Sequence, residues 1–183
     1  MTNMGLWDYS GVDQMCYSDS NCESYKKAAA FLGETVEDWG CGTGWAKKYF
    51  ENYRGIDGSP SAFLKETVDL VKYTSEVDNI LMRQVLELNE DWREILENVK
   101  KSFRKKFCLI IYTPQIKKTR IGHLHIPVRA DGSKMKGKVI SEIYFSKQDI
   151  LAFFPENEYR LMEEYIETRQ GYFREWILYV EKL

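Results

Sequence analysis

"EDWGCGTGWAKKYF", residues 37–50, sets three glycines within five positions between a strand-like approach and a helix-like exit. Glycine tolerates backbone angles and close approaches that a Cβ forbids. A glycine cluster between a first strand and its helix belongs to a nucleotide-type site, where backbone and helix N-terminus come near the ligand. Two familiar variants fit badly. The dinucleotide fingerprint places its third glycine five positions after the first, and Trp45 stands there. A phosphate-cradling loop ends in Gly-Lys-Ser/Thr, and no such ending occurs. Gly40-Cys41-Gly42-Thr43-Gly44 has the tighter G-x-G-x-G spacing.

Outward from this stretch, strand and helix signals alternate. "ESYKKAAAFLG" (23–33) carries strong helix formers and a glycine stop. "TVEDWG" (35–40) predicts a strand ending at the glycines, "WAKKYFEN" (45–52) a helix, and "YRGID" (53–57) a second strand. "GSPS" is a turn, "ETVDL" (66–70) a weak third strand, and "NILMRQVLEL" (79–88) opens as a fourth. In "NEDWREILENVKKSFRKK" (89–106), Trp92, Ile95, Leu96, Val99 and Phe103 recur at helical spacing. "FCLIIYTP" (107–114) is apolar on both faces, as a strand covered by helices on either side should be. Residues 115–138 have no period and read as an irregular basic lid or insertion. "VISEIYF" reads as a further strand, and Ser146 with Asp149 suggests a capping box before a short helix. "YRLMEEYIE" and "YFREWILYVEK", joined around Gly171, read as a terminal hairpin. The expectation is one α/β domain over residues 1–183, with 1–33 as an N-terminal cap segment. Its sheet is mostly parallel and seven-stranded, with an antiparallel C-terminal strand and helices on both faces. Trp39 and Trp45 read as packing, and Tyr9, Tyr17 and Tyr25 as either core or a flap.

Composition narrows the classes. Apolar residues at 44% and charged residues at 30% describe a globular chain of 183 residues, long enough for a real core. The start shows no signal-peptide pattern, and "FCLIIY" is far too short to span a bilayer. Cys16, Cys22, Cys41 and Cys108 form no C-x-x-C pair, so reduced thiols in a cytoplasmic chain are the simplest reading. The net charge of −2 conceals an asymmetry: residues 100–138 hold 12 basic side chains against one acid, Asp131. Such a block can face an anionic partner. Part of it has a local reason, because Lys100, Lys101, Arg104, Lys105 and Lys106 are read as the end of a helix, where cations suit the dipole.

The motifs together resemble the class I S-adenosylmethionine-dependent methyltransferases, which have a Rossmann-like fold. "VEDWGCGTGWA" looks like their first motif, "YRGIDGS" like the second, "TVDL" like the acid after strand three and "NILMRQVLELNEDW" like the fourth-strand motif. The resemblance covers roughly residues 23–113, and the terminal hairpin more loosely. It implies S-adenosylmethionine as cofactor and S-adenosylhomocysteine as product. It further implies that Asp38, Gly40, Cys41, Gly42 and Gly44 take the amino-acid end and that Asp57, with Gly58 and Ser59, takes the ribose diol. Asp69 and Leu70 then face the adenine, and Arg83 and Gln84 line the site at strand four. The chemistry agrees: carboxylates accept from an ammonium and from two hydroxyls, and glycines let backbone pass beneath. Asp69 also suits a turn cap, and Arg83 and Gln84 suit a strand end. Related enzymes often carry His where this chain has Gln84, which hydrogen-bonds but is no base.

His123 and His125 are the two histidines of the chain. At i and i+2 on a strand they share a face and suit an acceptor-site base, while two surface histidines on a loop is the plainer reading; a metal role lacks a third ligand cluster. The resulting expectation is methyl transfer to an oxygen or nitrogen of a small acceptor, sugar-like or anionic. One alternative is a nucleic-acid methyltransferase using the basic 100–138 block, and another is a cofactor-binding or cofactor-degrading protein without transferase activity.

Overall fold

The computed structural model describes residues 4, 23–61, 64, 66–112, 116–125, 139–167 and 174–183. Tyr9, Tyr17, Cys16, Cys22, Gly171 and most of the expected lid, 126–138, lie outside the described residues. Nine strands and three α-helices are described: α1 (Glu23–Leu32), β1 (Thr35–Trp39), β2 (Asn52–Asp57), β3 (Glu66–Thr67), β4 (Val77–Arg83), α2 (Trp92–Ser102), β5 (Phe103–Ile111), β6 (Arg120–His125), β7 (Ile140–Tyr144), α3 (Lys147–Leu151), β8 (Tyr159–Glu167) and β9 (Arg174–Lys182). Seven of the strands form one sheet in the order β3-β2-β1-β4-β5-β9-β8, and β6 pairs with β7 in a separate ribbon. Strands β1 to β5 run parallel, and β9 runs antiparallel to both β5 and β8. The expected architecture is therefore present.

Strand alternation sorts the core into two layers. Ile80, Met82 and Leu109 face one side with Trp39, Trp92, Ile95, Leu96 and Val99, and Leu81, Cys108 and Ile110 face the other with Tyr25, Ala28, Leu32 and Val36. Helix α2 thus covers one face and α1 the opposite one, which explains why the central strands are apolar on both sides. Trp39 is packing, as expected, and fully buried.

Several local expectations need correction. The helix expected at 45–52 is a single 3₁₀ stretch, Trp45–Tyr49, because β2 already starts at Asn52. The third strand is two residues long, and the fourth ends at Arg83. Helix α2 stops at Ser102, and Phe103 to Lys106 belong to β5, where Phe103 pairs with Val77 and Lys106 with Asn79. Sheet pairing overrides helical periodicity there, so of the five cations only Lys100 and Lys101 close the helix. The irregular lid contains β6, held by β7 from Arg120↔Tyr144 to His125↔Ile140. Ser146 precedes α3 without capping it: its hydroxyl donates to Gln148 at 2.9 Å, and Asp149 accepts from the Thr119 amide at 3.4 Å. No helix among the described residues is long and apolar enough to cross a membrane.

Candidate functional site

The sheet reverses direction of growth between β1 and β4, and ligands in open α/β sheets collect outside the carboxyl ends at that point. The glycine turn follows β1 there. Gly40, Gly42 and Gly44 all have positive φ, at 77°, 54° and 72°. A Cβ on Gly40 would lie 2.3 Å from Val85 Cγ2. The turn lies across the end of β2, because the Gly40 and Cys41 amides both donate to the Ile56 carbonyl, at 2.8 and 3.0 Å.

Asp57 closes the cradle. Its two carboxylate oxygens accept from the Gly42 amide at 2.9 Å and from the Ser59 amide at 2.8 Å. Burial raises its pKa, and the amides of Gly42, Ser59 and Gly58 oppose that rise. Asp38, behind the turn, is almost fully buried and accepts from the Tyr53 hydroxyl at 2.7 Å. Burial pushes its pKa up to about 7, with Asp57 adding to the rise and Tyr53 and Arg83 opposing it. The buried Cys41 thiol is pushed well above its ordinary value by burial and by the two carboxylates.

On the other side of Asp57, the Val68 amide donates to the Asp57 carbonyl at 2.9 Å, leading directly into Asp69 and Leu70. Asp69 makes a turn of its own: its side chain accepts from the Val71 amide at 3.1 Å and its carbonyl from the Lys72 and Tyr73 amides at 2.9 Å each. Asn98 of α2 donates to the Leu70 and Val71 carbonyls at 3.0 and 2.8 Å, fixing the turn from behind. Asp38, Gly40, Cys41, Gly42, Gly44, Asp57, Gly58 and Ser59 therefore form one cradle, with Asp69 and Leu70 at its far edge.

Arg83 ends β4 beside this cradle, and Gln84 follows it. Arg83 is buried in an ion pair with Glu175 of β9, and its guanidinium stands 4.8 Å from the ring centre of Tyr25. Gln84 adopts a φ of 56°, which non-glycine residues avoid, and its amide donates to the Ile110 carbonyl at 3.0 Å. Besides Glu175, two residues the sequence reading passed over stand nearby. Tyr53 binds Asp38. Glu87, in the 3₁₀ turn Leu86–Leu88, accepts from the Tyr112 amide at 2.7 Å, and burial raises its pKa to about 7. Glu175 and Tyr53 had no sequence signal, since each is defined by a partner far along the chain. Glu87 had one: a lone carboxylate within an apolar run, two residues after Val85. His123 and His125 lie on β6, opposite Glu142 and Ile140, and their side chains are outside the described residues. β7 packs against the 3₁₀ turn that carries Glu87, which sets the ribbon near the carboxyl end of β4. No group of three or more metal-ligating side chains occurs among the described residues.

No family model matches the chain, and no curated protein matches it in sequence. Solved structures do resemble it. A Burkholderia thailandensis 1,6-didemethyltoxoflavin-N1-methyltransferase, with 1,6-didemethyltoxoflavin and S-adenosylhomocysteine bound, aligns with a TM-score of 0.66 at 12% identity, over 90% of this chain and 79% of that one. The magnesium protoporphyrin IX methyltransferase of Synechocystis PCC 6803, with S-adenosylmethionine bound, aligns with a TM-score of 0.59 at 15% identity, over 88% and 79%. An S-adenosylmethionine-dependent methyltransferase from Mesorhizobium loti gives 0.58 at 13%, over 87% and 96%. The chain has the class I S-adenosylmethionine-dependent methyltransferase fold.

Proposed function

We propose that this protein is an S-adenosylmethionine-dependent methyltransferase acting on an oxygen or nitrogen of a small acceptor, sugar-like or anionic. The observation that carries the reading is Asp57, a buried carboxylate held on the amides of the glycine turn and of Ser59 at the carboxyl end of β2. A carboxylate oriented in this way has lone pairs left for a vicinal diol. Asp38 receives the ammonium of the amino-acid end, the glycines leave room for the backbone to pass beneath it, and Asp69 and Leu70 take the adenine.

The bound cofactor supplies an electrophilic methyl group on a sulfonium. The chain's own task is to hold the acceptor in line with that methyl and to exclude water, so proximity carries most of the rate. His123 and His125 on β6 are the groups assigned to take the acceptor's proton. Lys117, Lys118 and Arg120, all exposed at the start of the ribbon, are assigned to an anionic part of the acceptor. Among the described residues, the cations at the start of β5 lie elsewhere. Arg104 and Lys105 pair with Asp78, and Lys106 donates to the Phe31 carbonyl, all at the amino end of β5, opposite the cradle. The described cations of the block are thus divided between two places, a poor phosphate track, which supports the small acceptor over nucleic acid. Free, buried Cys41 and Cys108 suit a reducing, cytoplasmic setting.

Calorimetry with S-adenosylhomocysteine tests the reading. Asp57→Ala should weaken binding by about 1.5–3 kcal/mol for each charged hydrogen bond lost. Asp57→Asn, which keeps an acceptor for one amide, should lose less. Unchanged affinity in either folded variant would overturn the assignment.

A further inference from the structure

A carboxylate in the central strand of a parallel sheet, buried on both faces, is costly unless every oxygen is paired. Glu37 of β1 is such a group, 2% exposed, and it receives four donors. Oε1 accepts from Trp39 Nε1 at 2.8 Å and from the Ser75 hydroxyl at 2.6 Å. Oε2 accepts from Arg54 Nη1 at 2.8 Å and from the Tyr73 hydroxyl at 3.2 Å. Two of these donors belong to the segment that follows the Asp69 turn. The Tyr73 amide itself closes that turn on the Asp69 carbonyl, and the Tyr73 ring packs edge-on against Trp39 at 5.2 Å. The same segment is held from α2 by Asn98 and by Ser102, whose hydroxyl accepts from the Ser75 amide at 2.9 Å.

The arrangement has a direction. Helix α2 fixes the backbone of this segment at Leu70, Val71 and Ser75, while Glu37 ties the Tyr73 and Ser75 side chains to the strand that carries Asp38 and leads into the glycine turn. One side chain thus ties the adenine edge of the cradle to its amino-acid end.

We propose that Glu37 is a positioning residue for adenine recognition: through Tyr73 and Ser75 it holds the Asp69–Leu70 turn at the distance from the glycine turn that the adenosyl group requires. The proposal rests on the cofactor reading above, since it takes Asp69 as the acceptor for the adenine amino group.

The test compares S-adenosylhomocysteine with S-inosylhomocysteine, which lacks the exocyclic amine, by calorimetry. Wild-type protein should prefer the adenine ligand, and Asp69→Asn should reduce that preference. Glu37→Gln should reduce it roughly 5- to 10-fold, and the double variant should lose little more than either single one, because both act on one contact. Tyr73→Phe removes a single bond and keeps the ring against Trp39, so it should shift the preference the same way if Glu37→Gln folds poorly. Equal weakening of both ligands, or strict additivity with Asp69→Asn, would mean that Glu37 serves only the fold, and the proposal falls. Wild-type protein that binds neither ligand would overturn the cofactor reading itself, and this proposal with it.

Discussion

Asp38 shows how a single buried carboxyl sets a pH dependence. Its ordinary pKa of 3.8 rises to about 7, chiefly through burial, with Asp57 adding to the rise and the Tyr53 hydroxyl and Arg83 opposing it. Between those two values the folded protein keeps a proton that the unfolded chain has released. The contribution of this group to stability therefore declines as pH rises from about 4 to about 7 and is level above that. Asp38→Asn removes the titration. Urea melts should show the variant gaining on the wild type across that window and holding a constant difference above it; a difference that does not change with pH rules out the buried titration. Binding should move the opposite way. On the proposed reading the charged form receives the ammonium, so wild-type affinity for S-adenosylhomocysteine should strengthen towards pH 7, and the variant should bind weakly with no such slope. Gln84, with its φ of 56°, is the other residue whose geometry stands out, a strained peptide at the end of β4 beside the cradle.

The β6–β7 ribbon is the element on which the proposed acceptor site depends. Gly122 permits it: a Cβ there would lie 2.5 Å from the Tyr144 ring, which rests over the strand. The ribbon carries Arg120, His123 and His125, and β7 packs on the 3₁₀ turn after β4. Reversing Lys117, Lys118 and Arg120 to Glu should leave S-adenosylhomocysteine affinity intact, since the cradle is built from β1, β2 and the turn after β3. The same reversal should raise the acceptor's KM with little change in kcat, the sign of binding shared by ground and transition states. Normal acceptor kinetics in that variant would reduce these cations to a solvated surface. His123→Ala or His125→Ala should lower kcat roughly 10²–10⁴-fold and remove the acidic limb of the pH profile. Normal turnover in both would leave proximity as the whole of the catalysis. The opposite outcome of element formation is seen at β5, where Phe103 to Lys106 left the helix for the sheet. Nothing in "VKKSFRKK" forbids helix; what decides is the ladder with Val77 and Asn79 and the pairing of Arg104 and Lys105 with Asp78.

At the scale of the whole molecule, the cofactor is expected to add stability by mass action. Ligand at 100 times its Kd should contribute about 2.7 kcal/mol, which for a chain of this size raises Tm by about 5–10 °C. Differential scanning calorimetry with and without S-adenosylhomocysteine checks this, and an unmoved Tm at saturating concentration would count against a site built into the folded sheet. The sheet itself was legible because its signals are local. Positive φ at Gly40, Gly42 and Gly44 demands glycine, the unbroken apolar run "FCLIIY" marks a strand covered on both faces, and Asp57 stands where β2 must end. Those three features depend on backbone sterics and on apolar content along one short segment, which neighbouring residues alone dictate. The partners of the site were not legible. Tyr53 meets Asp38 across 15 residues, Tyr73 meets Glu37 across 36, and Glu175 meets Arg83 across 92. The sequence by itself determined the glycine turn, the strand-end acids and the order of alternation. Only the tertiary structure decided how long β5 is, that β6 is a strand, and which buried charges face one another. Those outcomes come from pairing energy between distant segments, and no local propensity records it.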